Sequence, residues 1–328
     1  MHKPIQKIVR KLIIPAALFI TTQAAYASGF PQKPITIVVG FPPGTSTDSV
    51  ARVISERVSK NIGQPVIVDN KPGVGGSLAV SHVSRAKPDG YTIVLTGTAP
   101  MNINPFVYKS ITYNPLTDFA PIGQTSWLPY VLVINNQKGI KDYKSWLNYA
   151  KQNPGKLTYA SIGHGTTSHL LMELLLSKAG VQMTHIPYSG SSQSQADVIG
   201  GNVDMTFDTV VSALQHTKSG RLNPIALSFN TRSPLAPDIP TVEEQGTADF
   251  NTGAWLGFFA PKDTPKEVVT KLHEEINKAL NDPATNQKLV ALGSEVITSP
   301  SPQEFANMVS ENHTVWGNLV KQIGVEKK

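Results

Sequence analysis

The chain has 328 residues, of which 40% are hydrophobic and 16% charged, so it is a globular protein long enough for two domains. It contains no cysteine, which excludes disulfides, thiolate metal sites, cysteine nucleophiles and a lipid-anchored cysteine. The net charge is +6, but four of the 29 basic residues and none of the 23 acidic ones precede Ser28, so the remainder carries only +2. This near-neutral balance removes most of the support for nucleic-acid binding.

Residues 1–27 are typical of a secretory signal peptide. Four basic residues precede an apolar run at 12–20, and Ala25-Tyr26-Ala27 fits a cleavage site before Ser28. The run is well short of the roughly 20 residues that a membrane-spanning helix needs, which argues against an anchor. We therefore expect a soluble protein of the Gram-negative periplasm, released by cleavage near Ala27/Ser28.

A β-branched run, Ile35–Val39, opens the mature chain and is predicted to be a strand. It ends in the loop Gly40–Asp48, which is rich in proline, glycine and hydroxyl groups. The next predicted elements are a helix over 48–62, a strand at 65–68, a short helix over about 77–85 and a strand at 91–95. This alternation of strands and helices indicates an α/β fold with a parallel sheet.

The same alternation starts afresh at Tyr130 and gives a second α/β unit. Its predicted strands are 130–134, 157–160, 183–186 and 203–207, and its predicted helices are 142–152, 168–179 and a short one ending at 199. A strand at 225–229 is expected to return to the first unit. A strand at 253–260 follows, and three amphipathic helices close the chain over about 265–281, 283–292 and 302–323, each with proline at or near its first position.

One type of loop recurs at three places: a strand opens into glycine with serine or threonine and then into a helix. These loops are Gly40–Asp48, Ser161–Ser168 and Tyr188–Gln193. Helix starts present backbone N–H groups and the positive end of the helix dipole, which suit a carboxylate or phosphate. Ligands of open parallel sheets bind beyond the carboxyl ends of the strands, so two such units facing each other would form a carboxylate clamp. The alternative is that these residues only cap their helices.

Motifs for catalysis are missing from the sequence, which has no GxSxG, HExxH or GxxxxGK[ST]. The eight histidines show no metal-ligand spacing, and His169 fits a packing or capping role. Ser161 and His164 leave an exported hydrolase as an alternative, although closeness in sequence is not the geometry of a catalytic triad. No metal and no cofactor is expected.

Two aspartates need separate interpretations. Asp48 stands at a helix start, where a capping role is favoured over ligand contact. Asp208 ends a predicted strand, where its carboxylate would repel a dianionic ligand but pair with the ammonium group of an amino acid.

Several ordered motifs carry a resemblance that runs from about Phe30 to the C-terminal helix. They are F-P-P-G-T-S-T-D (41–48), V-D-N-K-P-G-V-G-G (68–76), Y-A-S-I-G-H-G-T-T-S-H-L (159–170), H-I-P-Y-S-G-S (185–191), G-N-V-D (201–204), R-S-P-L-A-P-D-I-P-T-V-E-E-Q-G (232–246) and A-P-K-D-T-P (260–265). In these motifs the sequence resembles the tripartite tricarboxylate transporter receptor family, the Bug or TctC periplasmic solute-binding proteins.

The resemblance implies a type II periplasmic-binding-protein fold of two α/β lobes joined at a hinge with a ligand cleft between them. The implied division is residues 28–127 with 225–328 for lobe 1 and 128–224 for lobe 2. Such receptors are monomers that close around a small organic carboxylate and deliver it to the integral-membrane permease subunits of a tripartite transporter. A role as the ligand sensor for a sensor kinase of a two-component system is an alternative.

The resemblance also implies the ligand contacts, position by position. In lobe 1 they are Phe41, Pro43, Gly44, Thr45, Ser46, Thr98 and Ala99, and in lobe 2 they are Ser161, Gly163, His164, Gly165, Thr166, Tyr188, Gly190 and Asp208. Thr45 replaces a glycine that is usual in the family, and Ser189 replaces a frequent lysine. His164 lies at a variable position of its motif, where a side chain can tune specificity.

Overall fold

The computed structural model describes residues 29–135, 139–325 and 327. The predicted signal peptide therefore lies outside the described residues. None of the helices in the part of the chain that the structure describes is long and apolar enough to cross a membrane.

Eleven strands and ten α-helices are formed by the described residues. The strands are β1 Ile35–Val39, β2 Val66–Asn70, β3 Thr92–Gly97, β4 Phe119–Leu128, β5 Tyr130–Ile134, β6 Thr158–Ser161, β7 Thr184–Pro187, β8 Met205–Thr209, β9 Asn223–Leu227, β10 Ala254–Pro261 and β11 Glu295–Val296. The helices are α1 Ser46–Ile62, α2 Ser77–Val83, α3 Asn104–Val107, α4 Tyr143–Gln152, α5 Thr167–Ala179, α6 Ser191–Gly200, α7 Val210–Lys218, α8 Lys266–Leu280, α9 Pro283–Ala291 and α10 Pro302–Ile323.

The strands form two sheets, which confirms the predicted α/β class. The first sheet has the order β11-β4-β10-β3-β1-β2, and the second has the order β7-β6-β8-β5-β9. Strands β1, β2 and β3 run parallel, as do β6, β7 and β8, whereas β4, β10 and β5 pair antiparallel with their neighbours. In each sheet the parallel strands therefore end at one common edge, where the loops that lead into α1, α5 and α6 begin.

The predicted strand at 225–229 does not return to the first sheet. It is observed as β9, which pairs antiparallel with β5 in the second sheet and places Ala226 opposite Leu132. An apolar run shows that a strand is buried but not which sheet will bury it. The strand that does return is β10, whose Phe258 pairs with Leu95 of β3 on one side and Gly123 of β4 on the other.

Four elements were not expected from the sequence pattern, namely α3, β4, α7 and β11. Strand β4 contains Pro121 and the polar run Gln124–Ser126, yet it is held between β10 and β11 in the first sheet. The C-terminal helix α10 ended where predicted, and it links the two halves of the molecule. It accepts a 2.9 Å hydrogen bond at Val309 O from the Asn102 amide, and it also contacts α5.

Gly97 holds β3 close to β10, because a Cβ built on it would lie 2.2 Å from Trp255 O. We expect Gly97→Ala to lower the free energy of unfolding by about 2–3 kcal/mol, since the strands must separate to admit the methyl group. Urea denaturation measures the change. The matched control is Gly200→Ala, where the nearest atom is 3.7 Å away and alanine favours the helix, so stability should stay the same or rise. Equal stability of the two variants would contradict this packing argument.

Candidate ligand-binding site

The loop after β1 lies against the turn after β2. A Cβ on Gly40 would lie 2.4 Å from Gly76 O, so the two backbones can approach this closely only with glycine at position 40. A Cβ on Gly76 would in turn lie 3.0 Å from the Phe41 ring and 3.0 Å from Pro100. Phe41 therefore lies beside the turn Ala99–Ile103, which follows β3 and contains Pro100.

Asp48 organises the start of α1 from inside the protein, with only 2% of its surface exposed. Its carboxylate accepts hydrogen bonds of 2.9 Å from three donors, which are Gly44 N–H, Arg52 Nε–H and the Asn70 amide. Burial alone would raise the pKa of Asp48, but these hydrogen bonds outweigh it and lower the pKa below its ordinary value. This helix start therefore already holds an anion of its own, although the residue that caps α1 is Thr45 and not the predicted Asp48.

Thr45 has an ordinary extended backbone with φ −73°, so its position does not demand glycine. Its hydroxyl donates to Pro42 O at 2.9 Å and accepts from Asp48 N–H at 3.5 Å, which caps α1. Pro43 and Gly44 are exposed beside it and Ser46 is half-buried. The surface at Pro43 and Gly44 is thus accessible from solvent.

Thr98 and Ala99 lie deeper in the first sheet. Thr98 is 1% exposed, and its hydroxyl accepts a 2.9 Å hydrogen bond from Trp255 N–H of β10. Ala99 opens a short turn of π-helix, Ala99–Ile103. Thr98 therefore fastens the end of β3 to the returning strand, and the buried Ala99 begins the turn that follows.

The loop Ser161–Thr166 leads from β6 into α5 and folds back on itself. Gly163 and Gly165 adopt positive φ values of 135° and 72°, which favour glycine. The Thr166 hydroxyl donates to Gly163 O at 2.7 Å instead of accepting from the first turn of α5. The first turn of α5 therefore has no side-chain cap from Thr166, whereas Thr45 caps one first-turn N–H group of α1, that of Asp48.

This loop touches the first half of the molecule. The Tyr108 hydroxyl, just after α3, donates to His164 O at 2.5 Å. A Cβ on Gly165 would lie 2.9 Å from Val107, so the loop backbone and the end of α3 are in close contact. The loop 161–166, which is predicted to belong to lobe 2, thus contacts the end of α3. That helix follows Thr98 and Ala99, which are predicted to belong to lobe 1.

The loop after β7 places Tyr188 and Gly190 at the start of α6. The Tyr188 hydroxyl donates to Asp197 at 2.6 Å, and burial together with this carboxylate raises the pKa of Tyr188 to about 12. Gly190 is extended, and a Cβ built there would meet no atom of the described residues within 4 Å. Gly190 therefore has open space, whereas the Tyr188 hydroxyl is engaged within its own lobe.

Asp208 is fully buried at the end of β8. Its carboxylate accepts hydrogen bonds from Ser191 Oγ at 2.9 Å, Gln195 Nε2 at 2.7 Å and Thr209 N at 2.7 Å. Burial raises the pKa of Asp208. Burial also raises the pKa of Tyr130, and the nearby charge of Asp208 raises it further. The carboxylate thus holds the start of α6 in place, and an ammonium group would have to displace these donors to reach it.

Three histidines meet beneath the Ser161–Thr166 loop, which the spacing of histidines along the sequence did not indicate. His164 belongs to this loop, His169 to the first turn of α5 and His185 to β7. Ser161 Oγ lies 2.7 Å from His185 Nε2, so its ring partner is His185 and not the His164 that the hydrolase alternative named. The histidines meet because β7 pairs with β6, which places His185 beside Tyr159. The sequence alone does not reveal this strand pairing.

We expect Asp48→Asn to lower the free energy of unfolding by about 1–3 kcal/mol at pH 7, because the amide cannot accept from all three donors. Since the pKa of Asp48 is lowered in the folded protein, its contribution is present above about pH 4 and is lost as the pH falls through the folded value. Urea denaturation at pH 7 and pH 3 measures both effects. The control Asp69→Asn, at a half-exposed pair with Lys71, should change stability by less than about 0.5 kcal/mol.

We expect Asp208→Asn to be at least as stable as the wild type at pH 8. Near pH 4 the free energy of unfolding of the variant should be lower relative to that of the wild type than it is at pH 8. Burial raises the folded pKa, so the wild type loses stability as the pH rises from about 4 through that value, and the asparagine variant does not. Gln195 Oε1, buried without a partner among the described residues, accepts from the new amide once the Gln195 amide turns over. Thermal melts from pH 4 to pH 8 provide the comparison.

The control for that experiment is Asp197→Asn, because the Tyr188 hydroxyl lowers the pKa of Asp197 and the sign of the pH effect is opposite. A constant loss of stability in Asp208→Asn at every pH would show that the carboxylate is needed in its ionised form.

Comparison with known proteins agrees with this architecture. The family model described as tripartite tricarboxylate transporter family receptor matches residues 50–325. The structure of periplasmic binding protein BugD is 35% identical, with a TM-score of 0.82 over 91% of this chain and 100% of that chain.

Two structures from Rhodopseudomonas palustris contain ligands. Rpa4515 with adipate is 31% identical, with a TM-score of 0.85 over 91% of this chain and 100% of that chain. MatC (Rpa3494) with bound malate is 31% identical, with a TM-score of 0.80 over 89% of this chain and 100% of that chain. The two-lobed architecture and the match of the family model over residues 50–325 show that the chain belongs to the tripartite tricarboxylate transporter receptor family of periplasmic solute-binding proteins.

Proposed function

We propose that this protein captures a small dicarboxylate in the periplasm and delivers it to the membrane subunits of a tripartite transporter. The observation that carries the proposal is the match, at a TM-score of 0.85, to a relative with adipate bound. A second relative, at 0.80, holds malate, which is also a dicarboxylate.

The proposed lobes follow the sheets and differ slightly from the division expected from the sequence. The first lobe comprises residues 29–128 and 254–325, and the second comprises residues 130–252. Two contacts support placing 228–252 in the second lobe: Tyr143 and Thr247 are joined by a 2.6 Å hydrogen bond, and the Phe207 and Phe250 rings are stacked with centroids 6.1 Å apart. The hinge then lies where the chain crosses at Pro129 and again before Ala254.

The proposed anion position is the start of α5, with the start of α6 beside it. The loops 40–48, 161–168 and 188–193 contain no lysine or arginine, so the ligand charge must be balanced by backbone N–H groups and hydroxyls. The start of α1 is a weaker candidate, because Asp48 already accepts the Gly44 N–H there. We propose that the exposed corner at Pro43 and Gly44 closes over the far end of the ligand.

Closure is proposed to bring the two sets of loops onto one ligand, and the binding contacts made to both lobes then favour the closed form. The Tyr108–His164 hydrogen bond supports this, because it joins the two lobes at the loop that leads into α5. A hydrolase that uses Ser161 gains no support, since Ser161 is fully buried and its hydroxyl lies between Gly163 and His185.

Titration calorimetry of the purified chain without residues 1–27 tests the proposal. Adipate or malate should bind one to one in the micromolar range. Gly190→Asp should weaken binding at least tenfold, because it sets a negative charge at the start of α6, yet it should not destabilise the fold, since aspartate is a good helix cap.

The matched control is Ser301→Asp, which adds the same charge at the start of α10, where Ser301 already caps the helix. Its affinity should equal that of the wild type. The proposal fails if no dicarboxylate binds at millimolar concentration, or if the two aspartate variants have the same affinity.

A further inference from the structure

The two proposed lobes also touch on the side of the hinge that lies away from the ligand loops. In the first sheet the proposed ligand loops follow β1 and β3, whereas β11 lies at the opposite end, beyond the hinge strands β10 and β4. In the second sheet the ligand loops follow β6 and β7, and the hinge strand β5 and its neighbour β9 form the other end. The turn at 292–294, which leads into β11, and the segment that follows β9 therefore lie behind the hinge as seen from the ligand.

Gly293 is the closest point of this contact. A Cβ built on Gly293 would lie 1.5 Å from Val211 Cγ2 and 3.4 Å from Leu235 Cδ1. Nearby, the Ser233 hydroxyl donates to the half-buried Glu295 carboxylate. We call this the back contact, formed by Gly293 and Glu295 of the first lobe and by Val211, Ser233 and Leu235 of the second. Only a residue without a side chain at position 293 lets the two lobes approach so closely.

The start of α7 connects the back contact to the hinge. Val210 N–H donates to Pro129 O at 2.9 Å, and Val211 is the next residue. Rotation of the second lobe about Pro129 therefore moves Val211 relative to Gly293. Because the ligand loops and the back contact lie on opposite sides of the hinge strands, a rotation that brings the loops together moves the two surfaces of the back contact apart. The back contact is thus tightest when the ligand cleft is open.

From this arrangement we infer that the back contact opposes closure and thereby sets how tightly the protein holds its ligand. The inference rests on the proposed lobes and on their proposed closure around a dicarboxylate. Contacts that stabilise the open form reduce the fraction of molecules that can hold the ligand between both lobes, and the apparent dissociation constant rises as that fraction falls. Gly293 and Val211 therefore influence the affinity without touching the ligand.

Gly63 provides a matched comparison for Gly293, because both glycines follow the end of a helix in the left-handed region. Gly293 comes after α9 with φ 78°, and Gly63 caps α1 with φ 67°. A Cβ on Gly63 would meet no atom of the described residues within 4 Å. Alanine at either position strains the backbone in the same way. The two alanine substitutions therefore differ in the contact with Val211.

Titration calorimetry with adipate tests the inference. Gly293→Ala forces Val211 away and should bind adipate about three- to tenfold more tightly than the wild type, whereas Gly63→Ala should bind it as the wild type does. Leu235→Ala trims the same contact from the second lobe without a strained backbone, and it should also tighten binding. A substitution that merely disturbed the fold would weaken binding, so the direction of the change separates the two roles. Urea denaturation checks that each variant is folded.

Distances between two spin labels give a second readout that needs no ligand. The chain has no cysteine, so Leu78→Cys and Ala196→Cys introduce unique labelling positions. Both side chains are exposed, on α2 of the first lobe and α6 of the second. Both helices pack on strands from the ligand side of the hinge, so closure shortens the distance between the labels. In pulsed EPR of the ligand-free protein, Gly293→Ala should show a larger fraction at the shorter distance than Gly63→Ala.

The inference is overturned if the ligand-free Gly293→Ala and Gly63→Ala proteins have the same label distances, or if Gly293→Ala binds adipate no more tightly than Gly63→Ala. If neither the variants nor the wild type binds a dicarboxylate, the proposed function fails. The label distances in the ligand-free protein would then still decide whether the back contact holds the lobes open.

Discussion

The rest of the structure depends on how closely the two sheets are joined. A single residue, Pro129, separates the end of β4 in the first sheet from the start of β5 in the second. Its carbonyl accepts from Val210 N–H at 2.9 Å, and Tyr130 exchanges hydrogen bonds with Ser228 just after β9. So short a crossing keeps the loop edges of both sheets near each other, and it limits their relative motion to rotation about a few residues.

At that shared edge, similar helix starts are used in different ways. At the start of α1, Thr45 accepts the Asp48 N–H and Asp48 accepts the Gly44 N–H. At the start of α6, the buried Asp208 holds the Ser191 side chain but no side chain caps the N–H groups. The start of α5 differs, because its capping residue turns its hydroxyl toward Gly163. An exogenous carboxylate at α5 would supply the acceptor that Thr45 supplies to α1. This difference supports the proposed anion position at the start of α5, where backbone N–H groups would take the place of lysine or arginine.

Local patterns in the sequence were sufficient for most helices and for the glycine-rich loops that lead into them, because apolar periodicity and glycine act over a few residues. Non-local pairing was not predictable in the same way. Strand β4 was missed since Pro121 and its polar run hide an element that its neighbours bury. Strand β9 was assigned to the wrong sheet, because Ile225 and Leu227 suit either one. The role of His185 arises only from its register with Tyr159, and that of Asp48 only from the approach of Asn70.

A crystal structure of the protein with adipate tests the central claim most directly, since it shows which groups meet the ligand carboxylates. We expect one carboxylate of adipate against the N–H groups of the first turn of α5 and the other toward the loop at Pro43 and Gly44. Adipate bound outside the space between the two sets of loops, or held at Asp208 with α5 uncontacted, would contradict it.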